Sequence, residues 1–198
     1  MRFPDRLRLP FAFDPDRLRA DLARVETDTT WTSHFVRQNY DGDWSAVALR
    51  GLAGETHPIR MIYSDPIRTD YVDTPLLEAC PYFQEVLAAF QCPLTSVRLM
   101  KLTPGSVIKE HSDHDLAAED GKARIHIPVT SNPDVEFKVN RVAVPLALGE
   151  TWYLRLSDPH TVANRGQTDR VHLVIDARMN DWLTEQMTLA LAADGVDA

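Results

Sequence analysis

EHSDHD (Glu110–Asp115) and DPHTVANRGQTDRVHLVID (Asp158–Asp176) are the two segments of this sequence that carry the most chemistry. The first segment has His111 and Asp113 two residues apart, and the second contributes His160. Alternate residues of a β-strand point to the same side of a sheet, so His111 and Asp113 can converge on one ion. With a second imidazole from a distant strand, the set becomes two histidines and one carboxylate. That is the ligand set of non-haem iron(II) sites that keep open positions.

The sequence around these segments is typical of short β-strands. Runs rich in Val, Ile, Leu and aromatic residues alternate with turns that contain Gly, Pro, Asn or Asp. The predicted strands are 96–102, 106–111, 123–129, 135–140, 142–148, 151–156, 160–164 and 170–177. Short strands at this close spacing predict a sandwich or a jelly roll.

Two of the predicted strands place basic residues along one face. In RIHIPV, Arg124 and His126 share a face, and in RVHLVID, Arg170 and His172 do the same, each opposite an apolar face. Ordinary alternation would put such a face in solvent. In a jelly roll the polar face can instead point into the mouth of the barrel, and the pattern alone leaves both alternatives open. The second alternative gives a cationic pocket suited to a small dicarboxylate held by bidentate arginine contacts.

Other parts of the chain predict helices and two further strands. Helical spacing predicts helices at 14–25, at 74–90 (kinked or divided at Pro81) and at 179–193. Composition predicts strands at 44–52 and 61–63. We interpret 1–198 as a single domain, with helices and strands of 1–92 packing on a core at 93–177, and a closing helix at 178–198.

Composition excludes several classes of partner. A chain of 198 residues with 44% hydrophobic content can bury a full-sized core. Its net charge is −8 and its basic residues are scattered, which argues against nucleic acid or an anionic membrane as a partner. No apolar run approaches the ~20 residues of a membrane span, and the charged N-terminus lacks the apolar region of a signal peptide.

Cys80 and Cys92 predict two buried free thiols in a reducing cytoplasm.

The chain resembles the aspartyl/asparaginyl β-hydroxylase family of Fe(II)- and 2-oxoglutarate-dependent oxygenases. The matching stretches are GSVIKEHSDHDL, RIHIPV, GETWYLRL, DPHTVANRG and DRVHLVID, preceded by NYDGDWSAVALRG and TPLLEACPYFQEVL. The resemblance implies a mainly β, double-stranded β-helix (jelly roll, cupin-like) with flanking N- and C-terminal helices. It also implies that His111, Asp113 and His160 are the iron ligands, and that the facial triad is complete because Asp113 is retained.

The same resemblance implies how the co-substrate is held. Arg170 would bind the distal carboxylate of 2-oxoglutarate, with Arg124 and His126 near the co-substrate. Trp44 is a candidate for a substrate wall, with core packing as the alternative. His172 is either a substrate contact or an inner-barrel histidine whose hydrogen bonds are satisfied.

The implied activity is that of a dioxygenase that uses Fe(II), 2-oxoglutarate and O2. It would hydroxylate an amino acid of the aspartyl/asparaginyl type, free or within a short peptide, at an unactivated side-chain carbon. Three alternatives remain. The first is a hydroxylase of the free-proline type, and the second is a cupin-like protein that binds a metal or ligand without turnover. The third is a sister reaction such as desaturation.

Overall fold

The computed structural model describes residues 2–65 and 67–194. Its strands are β1 (Arg6–Ala12), β2 (Thr32–Ser33), β3 (Tyr40–Asp41), β4 (Trp44–Leu52), β5 (Tyr71–Asp73), β6 (Leu94–Leu102), β7 (Val107–His111), β8 (Lys122–Thr130), β9 (Val135–Val139), β10 (Val142–Ala143), β11 (Glu150–Leu154), β12 (His160–Asn164) and β13 (Arg170–Arg178). Its helices are α1 (Pro15–Asp28), α2 (Pro58–Met61), α3 (Pro75–Glu78), α4 (Pro81–Ala88) and α5 (Asp181–Asp194), with 3-10 turns at Arg37–Asn39 and Ala118–Asp120.

The strands form two antiparallel sheets that face each other. The larger sheet has the order β1-β11-β8-β13-β6-β4-β2, with β5 also paired to β4. The smaller sheet has the order β10-β9-β12-β7-β3. Between them lies an apolar cluster to which both sheets contribute, including Met100 and Val174 from the larger sheet and Phe137 and Val162 from the smaller one. The predicted mainly β jelly roll is confirmed.

The central strands β8 and β13 of the larger sheet are buried on both faces. Ile125 and Ile127 of β8 pack in a second apolar cluster, which also contains residues of α1, α4 and α5. Because the helices cover that face, the alternate residues Arg124 and His126 point between the two sheets, where both are buried. Of the two alternatives for the polar face, the interior of the barrel is therefore the one that the structure adopts.

Strands from the first part of the chain enter both sheets. β1 pairs with β11 and was not predicted, although Leu7 and Leu9 alternate with charged residues and are buried in the core. β4 pairs with β6 in the larger sheet, and β3 pairs with β7 in the smaller one. The predicted single domain and its division at residue 92 stay predictions.

Two predicted strands are wrong in part or in whole. The segment predicted as a strand at 61–63 instead contains the end of a helical turn, α2, which runs from Pro58 to Met61 and has Ile62 as its C-cap. The fixed φ of Pro58 favours the first position of a helix. The predicted strand 142–148 shortens to Val142–Ala143, because Pro145 has no N–H to donate to a ladder.

The predicted helices are confirmed with adjusted ends. Asp14 caps α1 by accepting hydrogen bonds from the N–H groups of Asp16 (2.8 Å) and Arg17 (3.3 Å). The 74–90 segment is divided before Pro81 into α3 and α4. The closing helix begins at Asp181, and the predicted residues 195–198 lie outside the described part of the chain. Among the helices that the structure describes, none is long and apolar enough to cross a bilayer.

Candidate active site

The smaller sheet brings the two predicted histidine ligands together. His111 is the last residue of β7 and His160 the first of β12, and the two are directly paired in the strand register. Their ring centroids are 4.2 Å apart. A register pair on neighbouring strands places two side chains on the same face of the sheet. The end of this strand pair is therefore where two imidazoles can share one ion.

Asp113 also lies at this place, but the segment after β7 positions it there, and not strand alternation as was predicted. β7 ends at His111, so strand alternation does not orient Asp113. Its backbone N–H donates to the Leu156 carbonyl at 2.8 Å, which holds the chain as it leaves the strand. Asp115 then adopts a left-handed φ of 62° and turns the chain away. The donor atoms of Asp113 and the two histidines all lie within 4.8 Å of one another.

Backbone carbonyls set the orientation of both imidazoles. His111 Nδ1 lies 2.7 Å from the Lys109 carbonyl, and His160 Nδ1 lies 3.1 Å from the Asp158 carbonyl. A carbonyl only accepts, so each Nδ1 carries the proton and each Nε2 keeps its lone pair. Burial, followed by the neighbouring His111, lowers the pKa of His160 to about 4. His160 is thus a neutral imidazole at neutral pH, which is the form that binds metal.

Arg124 fixes the carboxylate of Asp113. Its Nη1 donates to Asp113 Oδ2 at 2.7 Å, and its Nε and Nη2 donate to Asp176 at 2.6 and 2.9 Å. Arg98 donates to the same Asp176 carboxylate at 2.6 Å. Burial opposes ionisation of Asp176, but Arg124 and Arg98 outweigh it and hold its pKa far below the usual range. Asp113 Oδ1, 3.6 Å from His111 Nε2, is the oxygen left for an ion.

Arg170 is a buried cation with a vacant donor. It is 2% exposed, its Nη2 lies 2.8 Å from His172 Nδ1, and its Nε has no partner among the residues that the structure describes. Burial lowers its pKa to about 9, which leaves it charged at neutral pH. It makes no ion pair with any acidic residue in the described ranges. An unpaired buried charge is costly, so this position favours an anionic ligand.

Fewer residues contribute positive charge to the predicted cationic pocket than the sequence indicated. Arg124 is neutralised by Asp113 and Asp176, whereas His126 and His172 are buried histidines whose pKa burial holds well below its ordinary value. The unpaired positive charge of the four-residue set is therefore concentrated at Arg170.

A cavity of about 310 Å³ joins the three donors to Arg170. Trp44 lines it and also belongs to the inner apolar cluster, and its role as a substrate wall stays a prediction. Its indole stacks on His34 at 3.6 Å between ring centroids, and His34 stacks on Phe35 at 4.6 Å. Tyr63 meets Phe35 edge-on at 5.8 Å. These rings form an aromatic wall at the mouth of the cavity.

Sequence reasoning missed Phe35 and Tyr63 of the aromatic wall, and it also missed three polar residues of the site, namely His34, Arg98 and Asp176. Asp176 follows Arg170 and His172 at even spacing on β13, so alternation was a signal for it. Arg98 gave no comparable signal, because its strand also contains Thr95, Ser96 and Lys101. Only the structure shows that it is buried, at 3% exposure. His34 carries no periodic signal, because it lies in the irregular segment after β2.

Fold and donor set together define a jelly-roll protein with a candidate non-haem metal site of the two-histidine, one-carboxylate type. The chain belongs to the aspartyl/asparaginyl beta-hydroxylase family, whose sequence profile matches residues 13–179. The family predicted from the sequence is confirmed. His111, Asp113 and His160 could bind the iron on which 2-oxoglutarate-dependent oxygenases rely.

Individual relatives agree with this assignment. The chain is 28% identical over 170 residues to L-proline cis-4-hydroxylase of Rhizobium meliloti (strain 1021), which covers 83% of this chain. The chain spans 57% of the length of that curated relative.

Two solved structures share the fold. A prolyl-4-hydroxylase of Pseudomonas putida superposes with a TM-score of 0.56 at 13% identity, covering 89% of this chain and 93% of that one. A 2OG-Fe(II) oxygenase family oxidoreductase of Burkholderia pseudomallei gives a TM-score of 0.53 at 15% identity, covering 85% and 82%. At these identities the likeness establishes the architecture alone.

Proposed function

We propose that this protein is an Fe(II)- and 2-oxoglutarate-dependent dioxygenase that hydroxylates a small amino acid at an unactivated side-chain carbon. The observation that carries the proposal is the pairing of two features in one cavity. One is a triad of two imidazole Nε2 atoms and one carboxylate oxygen free to bind metal. The other is the buried, unpaired guanidinium of Arg170.

His111, Asp113 and His160 would hold the iron, leaving positions for the co-substrate and oxygen. When bound, iron with oxygen and 2-oxoglutarate supplies the oxidising power for hydroxylation of a C–H bond. The chain's own residues supply orientation: the Lys109 and Asp158 carbonyls fix the imidazoles, and Arg124 fixes the carboxylate.

Arg170 would anchor the distal carboxylate of 2-oxoglutarate, with His126 beside it. Support comes from burial and charge, because a carboxylate at this position would pair with a guanidinium that lacks an acidic partner. His126 lines the same cavity and has a buried Nε2 without a partner. Arg124, by contrast, has its donors engaged by two acidic side chains, so we assign it to the carboxylate ligand rather than to the co-substrate.

The substrate that we favour is a free amino acid of the proline type. The cavity is small for a ligand site, near the lower end of the roughly 300–1,000 Å³ common for small molecules. Trp44 Nε1 and Arg98 Nε are buried N–H groups at this cavity that have no partner in the described structure. The carboxylate of an amino acid would supply acceptors for such donors. The proline hydroxylase relative supports the same class.

A substrate panel tests this function. Iron(II) and 2-oxoglutarate, added without oxygen, should give a weak visible charge-transfer band. With oxygen, free proline should stimulate succinate release and yield a product heavier by one oxygen atom. Stimulation by aspartate, asparagine or peptides alone would favour the aspartyl/asparaginyl alternative, and loss of two hydrogens would indicate desaturation. Metal binding without succinate release for any substrate would favour a non-catalytic cupin-like protein.

A further inference from the structure

Three buried side chains meet at the Arg170 end of the cavity. Arg170 Nη2 lies 2.8 Å from His172 Nδ1, and His172 Nδ1 lies 3.3 Å from His126 Nδ1. His126 is 4% exposed and His172 is 1% exposed. The arrangement of protons among these groups is constrained, because each nitrogen has few possible roles.

The constraint starts at Arg170. A guanidinium only donates hydrogen bonds, so His172 Nδ1 must accept and the proton of the neutral His172 ring must lie on Nε2. His126 Nδ1 faces that same lone pair, and the contact is attractive only if His126 Nδ1 carries a proton. Burial keeps both rings neutral by lowering the pKa of each well below its ordinary value. His126 Nε2 is therefore an unprotonated acceptor.

His126 Nε2 has the wrong hydrogen-bonding character for the ligand expected here, because it can only accept. His126 Nε2 is buried and has no partner in the described part of the chain, while Nδ1 of the same ring contacts His172. A carboxylate of 2-oxoglutarate offers only lone pairs, and two acceptors in contact leave both unsatisfied. A proton on Nε2 would turn this repulsion into a charge-assisted hydrogen bond.

We propose that the co-substrate is bound together with one proton, which His126 takes up at Nε2, and that His172 is the positioning residue that creates this requirement. The inference rests on the proposed function, because it assumes that a carboxylate enters beside Arg170. The step is balanced: one proton from solvent joins the Nε2 lone pair, and no bond breaks.

The charges that face His126 explain why the proton arrives with the ligand. Before binding, Arg170 of β13 and Arg124 of β8 disfavour an imidazolium, as does the nearby His160 of β12, and Asp176 favours it. Asp176 is already shared between two arginines. An incoming dicarboxylate supplies the negative charge that the free site lacks.

Calorimetry measures the proton directly. Iron(II)-loaded protein, kept free of oxygen, is titrated with 2-oxoglutarate near pH 8 in two buffers of different ionisation enthalpy. We expect uptake of about one proton per ligand, and a Kd that rises about tenfold per pH unit above neutrality. Binding without proton uptake would overturn the inference and leave the proposed function standing. Failure to bind 2-oxoglutarate would remove both.

Two variants separate the roles of the histidines. His126→Gln offers a neutral amide N–H, so it should bind 2-oxoglutarate with proton uptake reduced by about one relative to the native protein. His172→Phe keeps a ring but removes the acceptor, which frees His126 to carry its proton on Nε2, and uptake should again fall by about one. Persistent uptake in His172→Phe would overturn the positioning role.

The native protein offers a second measurement that requires no variant. Nitrogen NMR of the metal-free protein should find the proton of His126 on Nδ1 and that of His172 on Nε2. The reverse pattern would overturn the inference whether or not either variant folds.

Discussion

His160 is the most deeply buried of the three predicted metal ligands, at 4% exposure. We expect His160→Ala to lose the charge-transfer band and turnover, because two remaining donors hold iron(II) poorly. The matched control is His57→Ala, since His57 is exposed at the start of α2 and outside the cavity. A band and turnover that survive in His160→Ala would show that the ligand set is different.

Arg170 gives a second test of a single side chain. Loss of a buried arginine–carboxylate pair costs on the order of 2–5 kcal/mol, much of it because the carboxylate is left unpaired. Arg170→Ala should therefore raise the apparent 2-oxoglutarate constant by roughly tenfold or far more. Arg165→Ala is the control, because Arg165 is exposed on the same segment. An unchanged constant would exclude the anchoring role.

Some residues of the site could be predicted from the sequence, and others could not. His111, Asp113 and Arg170 followed from local spacing and family resemblance, and the structure brings them to one cavity. The partners of Arg124 could not be predicted from spacing, because Asp176 meets it across the β8–β13 ladder, far away in the chain. Long-range pairing decides whether a basic residue is free for a ligand.

The junction of β3 and β4 tests an element rather than a side chain. Gly42 has a φ of +85°, and a Cβ there would collide with Ser106, whose Oγ accepts a hydrogen bond from the Asp43 N–H at 2.8 Å. Gly54 has a similar φ of +77° but open space around it. Strain at positive φ costs about 1–3 kcal/mol, and the collision adds to it only at Gly42.

We therefore expect Gly42→Ala to lower the melting temperature more than Gly54→Ala. For a chain of this size, each kcal/mol corresponds to roughly 2–4 °C. Thermal unfolding followed by circular dichroism makes the comparison. Equal losses in the two variants would mean that the left-handed backbone, and not the contact with Ser106, sets the cost.

Elements with a strong periodic signal were the ones predicted well. β8, β12 and β13 were predicted to within a residue at each end, because Gly, Asn and Asp turns delimit them. β1 was not predicted, since Leu7 and Leu9 are its only aliphatic residues that alternate with arginines and the run is too short to give a clear strand signal. At α2, apolar composition suggested a strand, but Pro58 favours a helical turn.

The molecule as a whole should be least stable in acid. Burial lowers the pKa of His34 to about 3 and that of His160 to about 4, and it holds His126 and His172 well below the usual 6.5. Between these values and 6.5 the unfolded chain binds more protons than the folded one. The free energy of unfolding must then fall as pH is lowered, by roughly 1.4 kcal/mol per pH unit for each such histidine.

Urea unfolding of the metal-free protein at about pH 7.5, 6 and 5 measures this dependence. In His34→Phe, which keeps a ring to stack on Trp44, the slope should be smaller by about one proton. His57→Ala serves as the control because that histidine is exposed. Stability that stays constant or rises as pH is lowered through this window would contradict neutral burial of the histidines.

Because His111 and His160 are paired at the ends of β7 and β12, an ion bound by both would link the two strands. The chain between these two ligands contains β8 to β11, so a bound metal closes a long covalent loop through coordination bonds. Because only the native register brings these donors together, the ion binds the folded chain and not the unfolded one, and it favours folding by mass action. Chelation should thus lower the melting temperature of the native protein but leave that of His160→Ala unchanged. Metal supply would then govern the stability of the folded protein as well as its proposed activity.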